Sequence, residues 1–368
     1  MLQSLRRSVR YFDWFGFIIT LALISIGLLF IYSTTTKPDV PYSIFFKKQL
    51  FGAGSALLIY FFFCITDYRT LMRWGYFLYM CVIGFLVFTL IKGSVGMGGQ
   101  RWINLFIFKF QPSEIAKLFF PAFIVQHLSV QHDSPKFVWY DFAPIIGVLF
   151  FSALLIMKQP DLGTALLIVF AGLILLWVAG LDKKWFLLGF LIVGISSPLL
   201  WKFLKPYQKQ RIAVFLGAGD SHKERYQIEQ SKIAIGSGGF AGKGFLHGTQ
   251  NKLMFLPESR TDFIFSVICE EWGFLGALFI LLLYGLLYAR LLYLICTIKH
   301  FFAQLLALGL IIHCILACII NIGMVTGLLP IVGIPLPLIS YGVTNLWITL
   351  ASLGWVNGII IRRYYIGE

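Results

Sequence analysis

The stretch Trp14–Tyr32, WFGFIITLALISIGLLFIY, holds no charged residue over 19 positions. An α-helix rises about 1.5 Å per residue, so about 20 apolar residues cross the hydrocarbon of a bilayer. Working outward from it, further runs are predicted at Leu50–Thr66, Trp74–Ile91, Ser113–Leu128, Phe142–Met157, Thr164–Gly180, Trp185–Trp201, Phe263–Ala289, Phe301–Gly327 and Val343–Ile361. The whole chain of 368 residues is 59% hydrophobic and 12% charged, with a mean hydropathy of +0.84. A soluble domain carries about 25% charged residues, which excludes a soluble core. The predicted fold is all-α: a polytopic membrane protein of about ten transmembrane helices in one integral membrane domain over residues 1–368. A long polar segment, residues 202–262, separates the seventh and eighth runs. The first run is too long for a signal peptide and lacks a small-residue cleavage site.

The formal charge is +14, carried by short loops between apolar runs. That placement fits anionic lipid headgroups and not nucleic acid. With the N-terminus in the cytoplasm, the cytoplasmic pieces hold twelve Lys and Arg, and the four short outer loops hold seven. The positive-inside rule therefore puts both termini inside and segment 202–262 outside, where long loops escape the rule. On this map a cysteine at Ser221 is labelled from outside. The six cysteines all fall in apolar runs, which predicts neither a disulfide framework nor a metal site. His313 beside Cys314 reads as a packed pair and not as ligands.

Chemistry concentrates where the long polar segment meets the eighth run: Phe255-Leu256-Pro257-Glu258-Ser259-Arg260-Thr261-Asp262-Phe263-Ile264-Phe265. Asp262 is either an N-cap or a base facing a basic loop. As a cap its pKa would be lowered by the helix dipole. At i, i+4 and i+8, Asp262, Ser266 and Glu270 share one helical stripe, with Glu270 roughly 12 Å deeper. Glu270 and Glu271 interrupt the apolar run, and acidic residues at membrane depth mark function or a buried pair. Upstream, the loop Gly98-Gly99-Gln100-Arg101-Trp102-Ile103-Asn104 offers Arg101 and Trp102 to a headgroup phosphate, or Trp102 as an interfacial anchor. Glu114 and Lys117, three apart, share a helix face. They either neutralise one another or form the polar wall of a substrate cavity, the reading favoured here, so Lys117→Ala is expected to damage activity more than Lys136→Ala. Asp161 caps the sixth run or binds a cation.

Within the long segment, Arg225–Ile235 reads as a short helix lying in the interface. The following Gly236-Ser237-Gly238-Gly239-Phe240-Ala241-Gly242-Lys243-Gly244 fails the P-loop pattern, which needs Gly at 237 and Ser or Thr at 244. It is either a flexible hinge or a set of backbone amides that meets an anion together with Lys243. The last outer loop, Leu328–Gly342, is apolar, but Pro330, Pro335 and Pro337 forbid a regular helix. It reads as a re-entrant cover over a lipid-binding groove.

Several of these segments resemble the shape, elongation, division and sporulation family, the RodA and FtsW glycosyltransferases. The matching stretches are Gly99-Gln100-Arg101-Trp102-Ile103, Phe110-Gln111-Pro112-Ser113-Glu114-Ile115-Ala116-Lys117 and Gln230-Ser231-Lys232-Ile233-Ala234-Ile235-Gly236-Ser237-Gly238-Gly239. They continue with Phe255-Leu256-Pro257-Glu258, Thr261-Asp262-Phe263-Ile264-Phe265 and Gly333-Ile334-Pro335-Leu336-Pro337-Leu338-Ile339-Ser340-Tyr341-Gly342. The match covers nearly the whole chain and is closer to the RodA branch. Two positions depart from the family: Arg260 stands where a His is usual, and Val343-Thr344-Asn345 follows Gly342 in place of Gly-Ser or Gly-Thr-Ser.

The resemblance implies a peptidoglycan glycosyltransferase of cell elongation in the bacterial cytoplasmic membrane, polymerising lipid II on the outer face. It implies Asp262 as the essential acid residue and a class B penicillin-binding protein as partner, among other proteins of the elongation complex. The residues suit such chemistry. Pyrophosphate leaves readily, so a single base suffices, unlike the carboxylate pair of glycosidases. The expected substrate-binding set is Arg101, Trp102, Glu114, Lys117, Lys243, Glu258, Arg260 and Ser340. Basic residues or a divalent cation, Mg or Mn, would stabilise the departing pyrophosphate. The competing classes are a lipid II flippase and a scaffold for a penicillin-binding protein.

Overall fold

The structure, a computed structural model, describes residues 10–36, 42–96, 99–105, 108–131, 137–204, 206–215, 222–253 and 255–363. In order the helices are α1 (Trp14–Thr35), α2 (Ile44–Ile65), α3 (Tyr68–Arg73) and α4 (Gly75–Lys92). Strands β1 (Ser94–Gly96), β2 (Gly99–Leu105) and β3 (Phe108–Phe110) follow. Then come α5 (Pro112–Gln131), α6 (Trp139–Lys158), α7 (Leu162–Val178), α8 (Lys183–Phe203), α9 (Pro206–Phe215), α10 (His222–Ser237) and α11 (Thr249–Lys252). The chain closes with α12 (Ile264–Cys296), α13 (Phe301–Val325) and α14 (Val343–Arg362). Every predicted apolar run is a helix. Seven of these helices, α1, α2, α4, α6, α12, α13 and α14, are long and apolar enough to cross a membrane by length and composition. The apolar α7, α5 with its charged pair, and α8 complete the ten.

Local signals set the helix starts. Ser43 Oγ accepts from Phe46 N at 3.2 Å, and Asp161 Oδ1 accepts from Thr164 N at 3.2 Å. Asp161 therefore does cap α7, one of its two expected roles. Packing without a hydrophobic drive in lipid relies on close backbone approach. The α14–α2 seam shows it: a Cβ at Gly358 would lie 2.7 Å from the Cys64 carbonyl oxygen. α14 is buried without interruption from Leu346 to Ile361 apart from Trp347. At one end of this core Asn357 donates to Tyr60 OH at 2.7 Å, and Arg290 Nε reaches Asp13 Oδ1 at 3.1 Å.

Four expectations change. The segment between α4 and α5, read as a loop, is a small antiparallel sheet in the order β1-β2-β3, pairing Ser94 with Trp102 and Ile103 with Phe110. The interruption of the eighth run lies at Gly273 (φ 65°, ψ −161°) and not at the two glutamates. Only glycine adopts such backbone readily. The helix α10, expected to lie in the interface, gains an anchor on the bundle: Ser231 Oγ donates to Val325 O at 2.6 Å and pairs with Ser266 Oγ at 2.8 Å.

The glycine-rich loop is the fourth. It is neither hinge nor anion cradle but a clasp on the helix break. Lys243 N and Gly244 N donate to Glu270 O and Glu271 O at 3.0 and 2.9 Å. Phe274 N and Leu275 N donate back to Gly239 O and Phe240 O at 2.9 and 3.2 Å. Ser221 and Lys136 lie outside the described residues.

Candidate active site

Asp262 sits one residue before Phe263, the N-cap of α12, and Phe263 makes no side-chain cap bond. Asp262 is thus not the cap, and its carboxylate accepts no hydrogen bond from a described residue. It is half-buried beside the proline-rich loop. Gly333 borders the carboxylate: its φ of +74° favours glycine, and a Cβ built there would stand in ordinary contact, 3.4 Å from Asp262 Oδ2. Removal from water, then repulsion from the Glu258 carboxylate, push the Asp262 carboxyl up from 3.8 to about 7. Arg211 and Arg101 oppose the rise and Asp161 adds to it. The expected dipole-lowered pKa is therefore reversed, because a carboxyl held short of the first helical turn gains little from the dipole while losing its water.

The main chain around Asp262 is tied from several sides. Asn321, fully buried on α13, donates from Nδ2 to Asp262 O at 2.9 Å and to Ile334 O at 2.7 Å. Ser340 Oγ donates to Thr261 O at 2.5 Å and accepts from Leu336 N at 2.8 Å. Tyr341 N donates to Arg260 O at 2.9 Å. Gln49 of α2 reaches the same turn, accepting from Gly342 N at 3.1 Å. The loop Leu328–Gly342 is consequently a buried plug that holds the Asp262 turn. Tyr284 OH donates to its Pro337 carbonyl, and Ile331, Ile334, Leu336, Leu338 and Ile339 are buried.

The other expected site residues divide. Arg101 comes to Asp262's neighbourhood, but Nε donates to Gln159 O at 2.9 Å, a second nitrogen donates to Pro160 O, and NH1 stands 3.9 Å from Asp161 Oδ1. Trp102 is half-buried on β2, and its carbonyl accepts from Ser94 Oγ at 3.0 Å. Glu258 is exposed with φ 55°, and its Oε2 accepts from Thr261 Oγ1 at 3.1 Å. Arg260 lies over the Phe45 ring at 3.9 Å, a cation–π contact. Ser340 is committed to backbone on both sides.

Lys117 and Glu114 pair at 2.7 Å inside the bundle, joined by Asn345 Nδ2 donating to Glu114 Oε2 at 3.1 Å. A small cavity of about 10 Å³ beside Lys117 is lined also by His313 and Gly309. Lys243 bonds Glu270 Oε1 at 2.6 Å, and Thr249 N donates to the same oxygen at 2.8 Å. Glu270 therefore serves the clasp and not Asp262's stripe. Glu271 is held by Ser33 Oγ at 2.5 Å and Leu246 N at 3.1 Å. Among the described residues no group of three or more His, Cys, Asp or Glu could hold a metal ion.

The sequence matches the family described as "Cell cycle protein", FtsW/RodA/SpoVE, over residues 14–365. The chain belongs to this family. A peptidoglycan glycosyltransferase MrdB of Escherichia coli (strain K12) is 42% identical over 299 residues, 80% of either chain. Stage V sporulation protein E of Bacillus subtilis (strain 168) is 37% identical, covering 92% of this chain and 93% of the relative. Among solved structures, a chain of a peptidoglycan synthase complex superposes with a TM-score of 0.81 at 29% identity, covering 96% of this chain and 98% of that one. The rod shape determining protein RodA of Thermus thermophilus gives a TM-score of 0.72 at 27% identity with the same coverage.

In this FtsW/RodA/SpoVE chain, sequence reasoning missed Arg211 and Asn321. Arg211 lies in a polar segment with no motif, and Asn321 sits 59 residues from the aspartate it holds. Asn321→Ala is expected to slow glycan polymerisation about 10- to 100-fold, because a misplacement near 1 Å of a reacting group costs on that order. The pH midpoint of the rate should stay where the wild-type enzyme has it. An Asn321→Ala enzyme of unchanged rate, measured on well-folded protein, would remove it from the positioning set.

Proposed function

We propose that the chain polymerises lipid II into glycan strands during cell-wall elongation, with Asp262 as the general base. The general activity, peptidoglycan glycosyl transfer by a membrane enzyme, follows from its family. Asp262 takes the proton of the acceptor 4-hydroxyl as that oxygen bonds to the donor's anomeric carbon. The anomeric C–O bond breaks, and undecaprenyl pyrophosphate leaves with the electron pair. The observation that carries this reading is the Asp262 carboxyl, which accepts no hydrogen bond from a described residue and is held near 7, where a base is matched to physiological pH.

Arg101, 3.9 Å from Asp161, and Arg211 are the candidates for the pyrophosphate, because both bear on Asp262. Lys117 and Lys243 are held at 2.7 and 2.6 Å by Glu114 and Glu270. A divalent cation, Mg or Mn, would be held by the substrate phosphates and Glu258, which leaves the Asp262 carboxyl to take the proton. One or two carboxylates plus substrate phosphates are a usual Mg²⁺ set. In this reading the active site faces outward from the bacterial cytoplasmic membrane, and the product passes to a class B penicillin-binding protein for cross-linking.

The deciding experiment is polymerisation of lipid II by the purified protein, with and without that partner and with no other polymerase present. Polymer is expected; lipid II that is moved across liposomes but never joined would favour a flippase. Orientation is tested separately. In a cysteine-free background, Lys252→Cys, at an exposed position of α11, is expected to react with an impermeant maleimide added outside spheroplasts. Protection at that position would invert the topology.

A further inference from the structure

Helix α8 stands apart from the bundle. None of its described side chains is buried, and Leu187, Phe190, Leu191, Ile192, Val193 and Ile195 are all exposed. Its first turn is the exception to this separation, for Trp185 stacks on Trp139 of α6 with ring centroids 4.9 Å apart. Between that pinned end and α7 lies a groove of about 360 Å³, lined by Phe170, Leu173, Ile174, Trp177, Lys183 and Phe186. Its wall is apolar except for the lysine. The volume falls within the roughly 300–1,000 Å³ of ligand sites.

The aromatic residues Trp139, Tyr140, Trp177 and Trp185 are exposed together at this end. Such rings sit at headgroup level, which fixes the depth of the groove mouth. Lys183 and Lys184 are exposed there, and neither ammonium pairs with a described residue. Asp182 beside them is exposed too and offsets one of the two charges. A net cation at headgroup depth above an apolar slot is complementary to a lipid whose head is anionic.

We infer that the α7–α8 groove is a binding site for an anionic phospholipid, one acyl chain in the slot and the phosphate at Lys183 and Lys184. The site is separate from Asp262 and does not depend on the glycosyltransferase reading. Filling the slot gives α8 a packing partner that, past the Trp185–Trp139 stack, the described residues do not supply.

Native mass spectrometry of the detergent-solubilised full chain tests this, with phosphatidylglycerol and phosphatidylcholine as probes. Phosphatidylglycerol is expected to form a saturable one-to-one adduct at least tenfold tighter than phosphatidylcholine. Lys183→Gln and Lys184→Gln should each weaken it about fivefold, the equivalent of about 1 kcal/mol per basic residue near the surface. Lys92→Gln, on an exposed position of α4, should leave it unchanged, and Leu173→Trp should abolish it by filling the slot. Equal binding of the two lipids by the wild-type protein overturns the proposal without reference to any variant. So does an equal loss in Lys92→Gln, or a lipid-free dimer that Leu173→Trp dissociates, since a second copy would then be the occupant.

Discussion

Purified Asp262→Asn protein is expected to insert, fold and bind its partner as wild type does, yet to make almost no polymer from lipid II. Asparagine keeps the volume and the neighbours of the carboxylate but cannot take a proton. General-base catalysis contributes about 10² to 10⁴ in rate, and a loss in that range is the predicted result. The carboxylate caps no helix and accepts no hydrogen bond from a described residue, so the substitution should have little structural cost. The same chemistry predicts the pH dependence. With the carboxyl titrating at about 7, the wild-type rate rises with pH through 7 and flattens above it. Below that point it falls about tenfold per unit, as the basic form does. Glu258→Gln removes one of the two acidic neighbours that raise the Asp262 pKa, so the midpoint should move to lower pH. Polymer yield within about threefold of wild type in folded Asp262→Asn would place the base elsewhere.

The second large effect is expected at Lys117. Lys117 is 7% exposed, and its ammonium pairs with a glutamate that is 6% exposed. Lys117→Ala leaves Glu114 charged in the bundle with Asn345 as its remaining donor, and breaking a buried pair this way costs about 3–5 kcal/mol. Folded protein in the membrane should fall sharply, whereas Lys92→Ala should not reduce it. The double variant Glu114→Gln/Lys117→Met removes both charges together and should recover most of the folded yield. If the pair is also the polar wall of a substrate cavity, the recovered protein still polymerises at least tenfold more slowly. Full activity in the double variant would leave mutual neutralisation as the whole role of the pair.

The spans were legible because apolar length is a property of contiguous sequence. The junction at Asp262 was legible because a carboxylate at the border of an apolar run has few reasons to be there. What escaped depends on partners far along the chain. Lys243 was free to meet any anion until the fold brought it to Glu270, 27 residues away. Ser340 looked like a substrate contact because hydroxyls are versatile, but Thr261 O and Leu336 N occupy it. The small sheet was hidden by its short strands, whose seven-residue middle strand starts on a glycine. Gly273 was one glycine among 35, and only its φ marks it as the break.

That break has a mechanical consequence. Non-helical backbone inside a bundle persists only while its freed polar groups are paired. Here the pairing is reciprocal: two loop amides hold helix carbonyls, and two helix amides hold loop carbonyls. Pulling the loop outward and straightening α12 are therefore the same event. A force on residues 239–244 acts on the short helical segment Ile264–Trp272, whose other end adjoins Asp262, and the ties of Asn321 and Ser340 to that turn oppose it.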